Sequence, residues 1–81
     1  METATTNERI NLACREAYEV LVFAFCAYFM EKGVERERAI EMATFVTASI
    51  EGSIILSRTA HSTEALRIVA KQLGDIFDPE R

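Results

Sequence analysis

Turn-forming residues are scarce in this sequence: its 81 residues hold 3 glycines and 1 proline. So few breaks exclude a turn-rich β-sandwich. Two cysteines, Cys14 and Cys26, are too few for a disulfide framework and lack metal-ligand spacing. They lie on different faces of one expected helix and read as buried structural thiols. There is 1 histidine, His61, with no carboxylate at a spacing that would orient it as a base for a nucleophile. It is expected as an exposed loop residue or cap. Positive charge is also in deficit, 9 Lys and Arg against 13 Asp and Glu, a formal net charge of −4. That balance speaks against nucleic acid as a direct partner of this chain. No Gly-rich phosphate loop is present. These absences predict a chain with no catalytic residues, no metal site and no cofactor.

Long hydrophobic runs are missing too. The longest uninterrupted one, Val20 to Met30, is bracketed by Glu19 and Glu31. A membrane span needs about 20 apolar residues, so this run reads as buried helix and no membrane partner is expected. The opening METATTNER lacks the basic and apolar regions of a signal peptide, which points to the cytoplasm.

What the sequence has is apolar content, 49% of residues, beside 27% charged. This suits one globular core. A chain of such length buries only roughly 60% of its unfolded surface, so alone it is marginal.

The spacing predicts an all-α fold of three antiparallel helices, at about 8–32, 35–59 and 62–77. Residues 1–7 form a polar, flexible lead, and residues 8–81 a single helical domain. In the first helix Ile10, Cys14, Ala17, Leu21, Ala24 and Tyr28 recur at spacings of three and four, an inward seam. Gly33 is placed to end it in the left-handed C′ position, with Val34 folding back. Along the second helix Ile40, Ala43, Thr47, Ile50 and Ile54 lie on one flank. Met42, Phe45, Ser49, Gly52 and Leu56 lie on the other. Glu41, Thr44, Glu51 and Arg58 are left for solvent. Ser62 is the expected N-cap of the third helix, whose narrow stripe runs Leu66, Val69, Ala70, Leu73, Ile76, Phe77.

Two apolar surfaces exceed what three helices can cover. One is a strip of short side chains on the second helix, Ser49, Ser53 and Ser57 with Gly52 beside them. It suits close approach of another helix, either this chain's first or one from a second copy. The other is the distal half of the first helix, where Val22, Phe23, Cys26, Phe29 and Met30 leave the seam. Core packing, an oligomer contact and an apolar ligand are all open there. Glu35, Glu37 and Glu41 interleave with Arg36 and Arg38, a solvated pattern of alternating charge.

Glu51-Gly52-Ser53-Ile54-Ile55-Leu56-Ser57-Arg58, followed by Ser62-Thr63-Glu64, resembles the last two helices of the TetR/AcrR-type transcriptional regulators. The stretch ending at Gly33-Val34 is similar to that family's long preceding helix. The resemblance covers roughly residues 12 to 77. It implies a dimerisation and regulatory domain, the last two helices of each subunit forming a four-helix interface in a homodimer. By position, Ser49, Gly52, Ser53 and Leu56 would lie at the helix crossing. Leu66, Val69, Ala70, Leu73 and Phe77 would pack across the dyad. Phe23, Phe29 and Met30 would face a small apolar effector or further helices of the family's ligand domain. The family's helix-turn-helix has no counterpart in residues 1 to 34, so operator contact is not assigned to this chain. Two other readings remain: a stand-alone protein that sequesters small molecules, and a subunit that heterodimerises with an intact regulator.

Overall fold

The computed structural model describes residues 5–80. These form three α-helices, α1 (Thr6–Glu31), α2 (Arg36–Ala60) and α3 (Glu64–Phe77), with no strand among the described residues. The all-α expectation holds, with each helix end within two residues of its expected place.

Local chemistry sets those ends. Thr5 is extended, and its hydroxyl accepts from the Glu8 N–H at 3.1 Å. This N-cap starts α1 at Thr6, so Thr6 and Asn7 are helical rather than part of a lead. The rest of the expected lead, residues 1–4, lies outside the described residues. At the far end Gly33 has φ of 96°, and the N–H groups of Gly33 and Val34 donate to the Met30 and Phe29 carbonyls, each at 3.0 Å. That pair of bonds is a Schellman motif.

The same motif closes α2, with His61 in the glycine position at φ of 51°. Its N–H donates to the Arg58 carbonyl at 3.3 Å, and the Ser62 N–H to that of Ser57 at 3.0 Å. Ser62 is therefore already committed to ending α2. The N-cap of α3 falls one residue later, on Thr63, which makes no side-chain cap bond. The Ser62 hydroxyl still accepts from the Glu64 N–H at 3.1 Å, reaching past the cap position.

The chain divides within α2 into two compact units, one up to Thr44 and one from Phe45 onward. In the first, α2 doubles back on α1, and Phe29, Ala39 and Ala43 are buried. The inward stripe of α1 is Tyr18, Val22, Phe25, Cys26 and Phe29, not the expected seam. Of that seam only Tyr28 is even half-buried. The true stripe lies one residue on, about 100° around the helix. Apolar residues surround the distal half of α1, so spacing alone carries no phase there. The small Ala39 and Ala43, one turn apart on α2, make a surface that admits a large neighbour such as Phe29.

In the second unit Val46, Thr47, Ser53 and Leu73 are buried. The Ser53 hydroxyl donates to the Ile50 carbonyl at 2.7 Å, which removes the cost of burying it. Thr44, Ser49 and Thr59 bond back along α2 in the same way, at 2.7–3.0 Å. This is how so many hydroxyls fit in one helix. By length and composition α2 is apolar enough to cross a membrane, with a mean hydropathy of 1.4 over its best window. Any such window includes Glu51, which is exposed.

Candidate functional site

Two surfaces stand out, one on each unit. On the first, a groove of about 520 Å³ opens between α1 and the start of α2. Its floor and walls are Val22, Phe23, Ala27, Met30 and Ile40, with Tyr18, Glu19, Cys26 and Arg36 supplying the polar atoms. Phe23 is 77% exposed, although the helix around it is apolar. The Cys26 thiol donates to the Met30 thioether at 3.9 Å, holding two sulfurs together on this wall. Arg38, one residue pair along α2, is tied to Glu41 at 3.3 Å. Arg36 has no ion pair among the described residues.

Of the three residues expected at an effector or missing-helix contact, Phe23 and Met30 line the groove. Phe29 does not. It is buried in the core, edge-on to the Tyr28 ring with centroids 5.5 Å apart. Phe29 sits near the centre of the inward stripe, and the same phase shift that buries it turns Phe23 outward. The Tyr28 ring in turn lies under the Lys32 ammonium, 5.4 Å from its centroid.

The second surface is the exposed flank of α2 beyond Thr44. Phe45, Ile55 and Leu56 are 59%, 64% and 61% exposed. Between them lie Ala48, Ser49 and Gly52. A Cβ built on Gly52 would meet nothing within 4 Å. Glycine in a helix interior costs roughly 0.5–1 kcal/mol relative to alanine, and nothing in the chain's own packing requires it here.

The residues expected at a helix crossing part company on this surface. Leu56 is exposed on this flank, and Ser49 and Gly52 beside it are half-buried. Ser53 is buried, because a stride of four advances about 40° per step and carries Ser49, Ser53 and Ser57 from the outer flank to the inner. Ser57 is half-buried, with its hydroxyl oxygen buried and unpartnered. On α3, Leu73 is buried, Val69 and Phe77 are half-buried, and Leu66 and Ala70 are exposed. Leu66 shares a hollow with Ile54 and Ser57, on the other side of α2 from Leu56. The α3 residues beside Leu56 are Ala65 and Ile68. Ile68, 53% exposed, was missed by the stripe reading. Its signal was present in the sequence as the one large apolar residue on the polar side of α3, between Arg67 and Lys71.

Among the described residues no three His, Cys, Asp or Glu side chains group to hold a metal. His61 is exposed at the helix end described above.

Comparison with known proteins shows the family. Residues 1–72 match the model of the "Transcriptional regulator LmrA/YxaF-like, C-terminal domain". The chain is 33% identical over 76 residues to the HTH-type transcriptional regulator LmrA of Bacillus subtilis, covering 94% of this chain and 40% of that protein. It is 31% identical over 72 residues to the uncharacterized HTH-type transcriptional regulator YxaF of the same organism, covering 89% of this chain and 38% of that one. No solved structure matches it significantly. This family is one of transcriptional regulators rather than enzymes, and the chain spans about two-fifths of the length of these two relatives. With three helices in place and nearly the whole sequence matched, the chain belongs to the TetR-type regulators of the LmrA/YxaF-like group, through their C-terminal domain.

Proposed function

We propose that this chain is the dimerisation and regulatory module of a TetR-type regulator, acting in the cytoplasm without contacting DNA or catalysing a reaction itself. The observation that carries the dimer is Gly52, a helical glycine with open space beside it, set among exposed Phe45, Ile55 and Leu56. A glycine that its own chain does not need suits the close approach of a second helix. Symmetric dimers are the commonest assembly, and crossing α2 and α3 of two copies makes a four-helix interface. Ser49, Gly52 and Leu56 from the sequence set, joined by Phe45, Ile55 and Ile68, form its surface in this reading. Ser53 and Leu73, both buried, support it from within.

Sedimentation at micromolar concentration tests this directly. The wild type is expected as a dimer. Gly52→Leu, whose Cβ meets nothing within 4 Å inside the chain, is expected as a folded monomer. Gly52→Ala separates the two roles of the glycine. It should raise the stability of the fold by about 0.5–1 kcal/mol and weaken self-association. A wild-type monomer, or a Gly52→Leu dimer of unchanged affinity, would refute the interface.

The groove on the first unit favours the regulatory half of the proposal, in which a small molecule sits against Phe23 and Met30. Its volume lies within the roughly 300–1,000 Å³ usual for small-ligand sites.

A further inference from the structure

We propose that the groove on the first unit takes an amphipathic anion, its head group at Arg36 and its apolar body along Val22, Phe23 and Met30. This deepens the regulatory reading above and rests on it by naming the chemistry of the ligand.

The groove is asymmetric along its length. Tyr18 and Glu19 lie at one end and Met30 and Arg36 at the other, beside the turn that joins α1 to α2. From position 18 to position 30 a helix rises about 18 Å. Between the two ends the lining is almost wholly aliphatic, aromatic or sulfur-bearing. A long apolar body therefore loses no hydrogen bond on entering it.

Charge then chooses the head group. Arg36 is exposed and has neither an ion pair nor a side-chain hydrogen bond among the described residues, whereas Arg38 is held by Glu41. Glu37, its neighbour in α2, lies about 100° around the helix from it, and Glu35 precedes the helix. A guanidinium offers a fork of donors that matches a carboxylate in two bonds. Glu19 at the opposite end repels a second anion, so the ligand carries negative charge at one end only.

Titration calorimetry with decanoate, decan-1-ol and decylammonium, at neutral pH and below their aggregation limits, tests the assignment. Decanoate is expected to bind, to weaken about tenfold in Arg36→Gln, and to weaken as salt is raised. Decanol is expected to bind equally well to wild type and Arg36→Gln, because it uses only the apolar wall. Decylammonium, which can reverse in the groove to meet Glu19, is expected to lose no affinity in Arg36→Gln. Phe23→Ser, at a site too exposed to matter for folding, should weaken all three. Decanoate affinity unchanged by both Arg36→Gln and salt would overturn the head-group assignment. Absence of binding by any probe would overturn the site. So would dissociation of the protein by Phe23→Ser without decanoate binding, which would give the groove to a second copy. Gly52→Leu separates this proposal from the dimer: loss of the dimer with decanoate binding intact leaves the groove standing.

Discussion

The C′ residue of α1 is Gly33 at φ of 96°, and that of α2 is His61 at φ of 51°. Both close the same pair of hydrogen bonds, but only glycine does so without a clash at Cβ. A non-glycine residue held there costs about 1–3 kcal/mol, from which the extra unfolded-state entropy of a glycine must be subtracted. His61→Gly is therefore expected to raise stability by about 1 kcal/mol, and Gly33→Ala to lower it by a similar amount. Urea unfolding of the two variants measures this. Equal and unchanged midpoints would mean that neither helix end is strained. The stop at Gly33 was legible because glycine followed by an apolar residue is the usual form of the motif. The left-handed turn at His61 was not, since only its two hydrogen bonds back to α2 impose it.

At the scale of elements, α1 is two different helices in one. From Thr5 to Ala17 every described residue is exposed, and the inward stripe begins only at Tyr18. Among the described residues its first half is held by backbone bonds and the Thr5 cap. Removing that cap costs about 1 kcal/mol, enough to fray the first turns without reaching the packed half. Thr5→Ala should speed hydrogen exchange at the Glu8 and Arg9 amides about fivefold while leaving the global unfolding midpoint unchanged. A drop in the global midpoint would mean that this half is packed against a partner in solution. Helix lengths were readable to within two residues at each end from spacing and Gly33, because those signals are local. The rotation of α1 was not, because a helix apolar on several sides fits its core in more than one phase.

For the molecule as a whole, the decisive comparison is between two phenylalanines six residues apart on α1. Phe29 is buried and Phe23 is exposed, although both stand in the same apolar stretch. Phe29→Ala removes a large core side chain and should cost about 3–5 kcal/mol, a major share of the stability of a domain this small. Phe23→Ala should change stability by no more than about 0.5 kcal/mol. Thermal unfolding of both variants checks it, and a Phe23→Ala loss as large as that of Phe29→Ala would show the groove wall to be covered in solution.

By itself the sequence determined the all-α class, the three helices and the stop of α1 at Gly33. It also carried the resemblance to the family, since the Glu51-to-Glu64 pattern lies within one short segment. It placed Gly52 and Leu56 correctly on one flank of α2, where small and large apolar residues recur within a single helix. Only the tertiary structure decided which residues are spent inside. It buried Phe29, Ser53 and Leu73, and left Phe23, Leu56 and Ile68 outside. The physical reason is that periodicity assigns a residue to a stripe, whereas burial depends on which stripe a neighbouring element covers. The groove, with an Arg36 that makes no ion pair among the described residues, exists only once α2 has folded back on α1.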